Sequence, residues 1–212
     1  MNVLSGFPKW VWVAFGMVIL LRIFIRLMSS PSRKGRVGER IVARRLRDLG
    51  AEYVIVNDVY LPTREGETTQ IDHVIVSRYG IFVVETKNWT GWIFASGDSS
   101  RWTQSVYRKK SSFQNPIRQN YKHICELSRN LRIDKRYFIS IVAVTGDCKF
   151  KTDMPDGVMF SRHAVEYVRS FDQPIMESGQ VQEIVKALRD RQKAIPESVK
   201  RAHVANLRRR HG

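Results

Sequence analysis

Two apolar runs on either side of a tight turn constrain this chain more than anything else in it. The first reads Thr68-Thr69-Gln70-Ile71-Asp72-His73-Val74-Ile75-Val76. The second reads Gly80-Ile81-Phe82-Val83-Val84-Glu85-Thr86-Lys87, and Ser77-Arg78-Tyr79-Gly80 links them. Such β-branched and aromatic runs, broken by a short polar turn, predict an antiparallel hairpin. With the turn centred between Arg78 and Tyr79, Asp72 falls directly opposite Glu85, and Gln70 falls opposite Lys87. Side chains alternate along a strand, so Glu85 and Lys87 share a face. Four polar groups then meet on one side of an apolar hairpin. Two carboxylates in that position repel unless a cation lies between them. The layout predicts a hard-metal site with a lysine beside it.

Register carries this reading, since the tripeptide Glu-x-Lys is common. Asp147-Cys148-Lys149 has a related form without an opposed carboxylate. A turn one residue longer would remove the alignment and leave a solvated sheet face with a cross-strand charge pair.

Further blocks accompany the hairpin: Gly38-Glu39, Gln70-Ile71-Asp72-His73, the run from Gly80 through Asn88-Trp89, Gly91, and Asn115-Pro116-Ile117-Arg118-Gln119-Asn120. In this order they resemble the NERD family, the nuclease-related domains, within the PD-(D/E)xK restriction-endonuclease-like group. The resemblance covers roughly residues 35–145. Ile71 stands where the group's name has proline. The resemblance implies that Asp72 and Glu85 are metal carboxylates for Mg²⁺ or Mn²⁺, that the Thr86 carbonyl is a further ligand, and that Lys87 is the catalytic lysine. It also implies that Glu39 and Gln119 line the site. For Glu39, a helix-start acid favoured by the dipole is an equal reading.

Lys and Arg number 36 against 20 Asp and Glu, a formal net charge of +16. Such a balance fits an anionic partner, either nucleic acid or an anionic membrane surface. Cys125 and Cys148 are the two cysteines, so a reduced compartment with no disulfide framework is the default reading. No Cys/His cluster has zinc spacing, and the five histidines are scattered.

Trp10–Leu21 is an uninterrupted apolar run, extended through Met28 past Arg22 and Arg26. A spanning helix needs about 20 mostly apolar residues. Residues 10–28 meet that if both arginines reach back to the headgroups. Trp10 and Trp12 mark the opposite interface. Arg33, Lys34, Arg36, Arg40, Arg44 and Arg45 follow, which predicts a single pass with the carboxyl side in the cytoplasm. The expected organisation is a tail at 1–9, a transmembrane helix at 10–28, a linker at 29–34, a nuclease-related domain at 35–195 and a basic tail at 196–212.

Gly35–Leu49 reads as a helix with Val37, Ile41, Val42, Leu46 and Leu49 inward. Arg36, Arg40, Arg44 and Arg47 form its basic face. Tyr53–Leu61 reads as a strand interrupted at Asn57-Asp58. Gly91–Ala95 and Arg101–Val106 read as an added hairpin, whose Trp92 and Trp102, with Trp89, can stack on bases or pack in the core. Asn115 caps a helix with Pro116 at its first position. There Ile117, Tyr121, Ile124, Leu127 and Leu131 face the sheet, Gln119 and His123 share another stripe, and Arg118 and Lys122 face solvent. Arg136–Val144 and Val158–Phe160 read as strands, and Ala164–Phe171 and Val181–Ala194 as helices.

The expected fold is α/β, a restriction-endonuclease-like mixed sheet flanked by helices and preceded by one transmembrane helix. The expected function is a membrane-anchored, metal-dependent nuclease. Its partner is nucleic acid, DNA before RNA, met by Arg40, Arg44, Arg47, Arg118 and Lys122. The alternative is a non-catalytic membrane-tethered module that binds nucleic acid or anionic lipid on a nuclease-like fold.

Overall fold

The structure is a computed structural model that describes residues 8–28, 31–202 and 205. It is a mixed α/β fold with two sheets flanked by helices. The helices are α1 (Lys9–Met28), α2 (Pro31–Leu46), α3 (Pro116–Leu131), α4 (Ala164–Arg169) and α5 (Ser178–Ala194). The strands are β1 (Val54–Pro62), β2 (Thr68–Ser77), β3 (Gly80–Asn88), β4 (Gly91–Phe94), β5 (Arg101–Val106), β6 (Lys109–Gln114), β7 (Phe138–Thr145), β8 (Cys148–Phe150) and β9 (Val158–Phe160).

The main sheet has the order β1-β2-β3-β7-β9. Its first three strands are an antiparallel meander, and β3, β7 and β9 run parallel. Both faces are covered, which explains the near-continuous apolar runs of β2 and β3. Ile71, Val74, Val76, Ile81 and Val83 pack towards α3 and α5. Ile75, Phe82 and Val84 pack on the other face towards α2 and α4. From Val74 to Val84, alternation along the strands thus divides the run between two cores.

The hairpin has the expected register. His73 pairs with Val84, Val74 with Val83, and Ser77 with Gly80. The ladder ends at His73–Val84, one step short of Asp72 and Glu85. Beyond that point β3 continues with β7 alone, up to Asn88–Thr145.

The second sheet, β6-β5-β4-β8, grows from the end of β3. It extends the expected two-stranded addition by β6 and β8. The exposed Lys-Lys-Ser-Ser of β6 has no apolar alternation to reveal it as a strand. Trp89, Ile93, Trp102, Val142, Val144 and Val158 form a third core under this sheet. Trp89 and Trp102 are therefore packing residues, and of the three tryptophans only Trp92 is exposed.

Several expectations need correction. The expected helix at 35–49 begins earlier, at Pro31, and Arg47–Leu49 is a 3₁₀ turn. The linker expected at 29–34 is thus helical from Pro31, while residues 29 and 30 lie outside the described residues. Val37 and Ile41 are exposed, because α2 rests on the sheet through Gly38, Val42 and Leu46 instead. Tyr121 is likewise exposed, and Asn120 and His123 occupy the buried face of α3. Residues 197–202 of the expected tail are helical. Residues 206–212, and 1–7 of the amino-terminal tail, lie outside the described residues.

The expected transmembrane segment also needs correction. A helix does span Lys9–Met28, but among the described residues no helix is long and apolar enough to cross a membrane. The part of α1 with described side chains, 10–20, is about 16 Å of helix. That is about half of the hydrocarbon thickness.

Candidate active site

The site lies where the β2–β3 ladder stops. With β2 no longer paired to β3 at that level, the backbone N–H of Thr86 donates to the Asp72 carboxylate at 2.7 Å. The carboxylate takes the place of a ladder acceptor and holds the splayed strands together. On an antiparallel strand a residue's N–H and C=O point to the same neighbour. The Thr86 carbonyl therefore faces the same gap as Asp72.

Glu85 and Lys87 project from β3 on the side of α3. The Lys87 ammonium donates to Glu85 Oε1 at 2.7 Å and to Gln119 Oε1 at 3.0 Å. His123, one helical turn after Gln119, brings Nε2 to 3.3 Å from Glu85 Oε2. Its Nδ1 lies 3.1 Å from Thr69 Oγ1. Glu85 is thus buried with a basic group at each oxygen.

The orientation of α3 is fixed from its first turn. Asn115 accepts from the Ile117 N–H at 2.9 Å, with Pro116 next in the chain. Asn120 then donates to the Val83 carbonyl at 2.8 Å and to Ser140 Oγ at 2.9 Å. That buried amide sets the helix against β3 and β7, with Gln119 and His123 on either side of it.

The electrostatics divide the carboxylates. Burial pushes the Asp72 carboxyl well up from its ordinary value, and the charges of Glu85 and Glu39 add to the effect. Burial also opposes charge on Glu85, but Lys87 and His123 outweigh it and hold the carboxyl down at about 2. Burial opposes the Lys87 ammonium as well, yet Glu85, Asp72 and Glu39 raise it above an ordinary lysine. Glu39 is raised by burial, then by Asp58 and Glu85. The exposed Asp58 has a φ of 53° at the interruption in β1.

Asp72, Glu85, Lys87 and Gln119 are thus brought together as the sequence predicts. Glu39 joins them through its electrostatic field, from α2. Gln70 is the exception, since its amide donates to Asp58 at 2.9 Å and Gln119 takes its expected place beside Lys87. His123 is not among the expected site residues, although its four-residue spacing from Gln119 on one stripe of a capped helix puts the two side by side.

The basic candidates lie outside this cluster. Arg40 and Arg44 are exposed on α2, and Arg47 on the turn after it. Lys122 is exposed on α3, and the Arg118 guanidinium, also exposed there, donates to the Asp98 carbonyl at 2.7 Å.

The donors available to a cation are the carboxylates of Asp72 and Glu85 and the Thr86 carbonyl. All are hard oxygens. They suit an ion that keeps several of its own waters. Among the described residues no three His, Cys, Asp or Glu side chains are grouped as a complete metal cage.

The chain is 49% identical over 113 residues to an uncharacterized protein of Bacillus anthracis. The match covers 50% of this chain and 53% of that relative, so the chain spans about half the relative's length. No solved structure matches. The family model for the nuclease-related domain matches residues 34–145, just over half of the chain and the stretch that contains every residue of the cluster. The chain therefore belongs to the nuclease-related domain family, NERD.

Proposed function

We propose that the protein is a metal-dependent nuclease of the PD-(D/E)xK type that hydrolyses phosphodiester bonds in nucleic acid, DNA before RNA. The observation that supports this most is the convergence of Asp72, Glu85 and Lys87 at the splayed end of the β2–β3 ladder. The donor set fits Mg²⁺ or Mn²⁺. Burial first, and then the charges of Glu85 and Glu39, raise the Asp72 carboxyl, and a cation at that point would offset them.

Asp72, Glu85 and the Thr86 carbonyl would hold the ion. Such an ion, when bound, supplies Lewis-acid polarisation of the phosphate and a more acidic water. Lys87 keeps its proton, so its part is donation to the negative charge that develops on phosphorus oxygens. Gln119 aims that ammonium, and its amide can also orient the attacking water. His123 and Thr69 keep Glu85 in place.

A second reading, a non-catalytic nucleic-acid-binding module, has one observation in its favour. Both Glu85 oxygens already have basic neighbours within the protein. The experiment that decides is cleavage of labelled single- and double-stranded DNA and RNA by the full chain, with Mg²⁺, with Mn²⁺ and with EDTA. The nuclease reading expects metal-dependent cutting that Asp72→Ala and Lys87→Ala abolish. Binding without cutting would establish the second reading.

We also place the chain at a membrane through α1, with the folded domain on the cytoplasmic side. Trp10, Val13, Phe15, Met17 and Leu20 are exposed apolar residues of α1. The basic residues of α2 follow at once, which suits a cytoplasmic anionic leaflet.

A further inference from the structure

The outer face of the second sheet has no part in the chemistry above, and we propose that it binds the unpaired bases of single-stranded nucleic acid. The inference rests on the nuclease reading for its choice of partner, and it assigns that enzyme a substrate form.

The sheet's inner face is filled by the third core. Alternation therefore sends Trp92 and Phe94 of β4 outward, and both are exposed. Lys149 of β8 lies directly opposite Trp92. Lys151, just beyond β8, places its ammonium 4.3 Å from the centre of the Trp92 ring. Lys110, on β6, pairs with Ser105, which in turn pairs with Trp92, so it belongs to the same face. None of the four strands contains an Asp or Glu.

The β5–β6 turn extends this character. Its Tyr107 is fully exposed, at a φ of 53° that side chains seldom adopt. Arg108, Lys109 and Lys110 follow it. An aromatic held out of all packing beside three cations suits a base next to its phosphate.

The surface is also anchored to the site. Trp92 is five residues beyond Lys87, at most about 17 Å of chain. Gly91 makes the corner at a φ of 78°, where a Cβ would overlap the Ser105 carbonyl. The Asn115 amide that caps α3 also donates to the carbonyls of Ser96 and Ser99 in the β4–β5 loop. The helix that carries Gln119 thus holds the sheet at a fixed position relative to Lys87.

Exposed rings favour unpaired strands, because a duplex hides the base faces that would stack on them. An anionic bilayer shares the attraction to lysine. It would want a continuous apolar protrusion, whereas here Trp92 and Phe94 alternate with buried residues and lie among Lys, Ser and Thr.

The test uses the full-length protein in EDTA and fluorescein-labelled (dT)20, read by anisotropy. Trp92→Ala is expected to weaken binding about tenfold, and Trp92→Phe to restore most of it. The Lys110→Ala/Lys149→Ala variant is expected to lower the slope of log affinity against log salt by about 1.4, about 0.7 for each phosphate contact on a single strand. Binding to the dT·dA duplex is expected to be unchanged by Trp92→Ala. Unchanged (dT)20 affinity in Trp92→Ala, equal losses on duplex and single strand, or losses confined to phosphatidylserine vesicles would each overturn the proposal. Cleavage of (dT)20 by wild type with Mg²⁺ is read separately. Cutting without dependence of binding on Trp92 removes this inference and leaves the nuclease. Binding that depends on Trp92 without cutting by any metal removes the nuclease and leaves the surface.

Discussion

Asp72 lies where burial and neighbouring charge both oppose its ionisation. Without a cation, burial and the charges of Glu85 and Glu39 raise its carboxyl. A carboxyl raised on folding binds its proton more tightly in the native state. Its stabilising contribution is complete below the unfolded value of about 3.9 and is lost as pH climbs through the folded value. Asp72→Asn removes that loss while it keeps the shape. In metal-free buffer at neutral pH the variant is expected to melt a few degrees above wild type, roughly 2–5 °C. The gap should close as pH falls below 4. Calorimetry across pH checks this, and a gap that widened towards acid would contradict the assigned direction. The same substitution should abolish cleavage. His123 lies against Glu85, so on the nuclease reading it positions Glu85 rather than meeting substrate. His123→Ala is expected to lower kcat by about 10–100-fold with little change in KM, and His123→Gln to recover part of it through its amide donor. A KM effect of the same size would show that His123 meets the substrate instead.

Among the elements, α2 owes its close approach to the sheet to Gly38. Gly38 faces the end of β3 so closely that a Cβ there would lie 2.9 Å from Asn88 Cβ and 3.0 Å from Thr145 Oγ1. The neighbouring Glu39, on a helix held this close, acts on Glu85 and Asp72 through its charge. The Asn88 amide fastens the start of α2 by donating to the Lys34 carbonyl at 2.8 Å. Gly38→Ala is expected to destabilise the fold by about 1–3 kcal/mol through overpacking. Denaturant unfolding measures that loss. Cleavage well below the melting temperature should fall further than stability explains, and activity equal to wild type would separate Glu39 from the chemistry. The hairpin register and the Asn115 cap were legible because turn residues and capping act over two or three positions. The contacts of Gly38 were not legible, since they join residues 50 and more apart in sequence. Strand β6 was hidden for a different reason. It is an edge strand with a polar face, so nothing in its periodicity marks it. The exposed Val37 and Ile41 misled in the opposite sense, because an apolar residue on a helix gives no sign of which neighbour the fold supplies.

At the scale of the whole molecule, an exposed apolar helix is joined to a strongly basic folded domain. The described side chains of α1 include Val13 and Met17, four residues apart, exposed at 67% and 66%. Water does not favour such a surface, and a bilayer would take it up, while the arginines of α2 would meet anionic headgroups. In the proposed membrane placement, Arg40, Arg44 and Arg47 would lie on the helix side, and the Trp92 face belongs to the second sheet. The two surfaces lie on different elements, so lipid and nucleic acid need not compete. In cells, the full chain is expected to pellet with membranes, and a reporter fused after Gly212 to be cytoplasmic. Val13→Glu/Met17→Glu should move most of the protein to the supernatant, because two carboxylates cost roughly 2.5–3.5 kcal/mol each in the apolar layer. Cleavage per molecule in detergent-free solution should be unchanged in that variant, since among the described residues those of the site lie on elements other than α1. Carbonate extraction then separates the modes of attachment. Release of wild type by carbonate marks a peripheral helix, and retention marks an integral one. Wild type found in the supernatant from the start would remove the membrane from the account and leave the basic charge to nucleic acid alone.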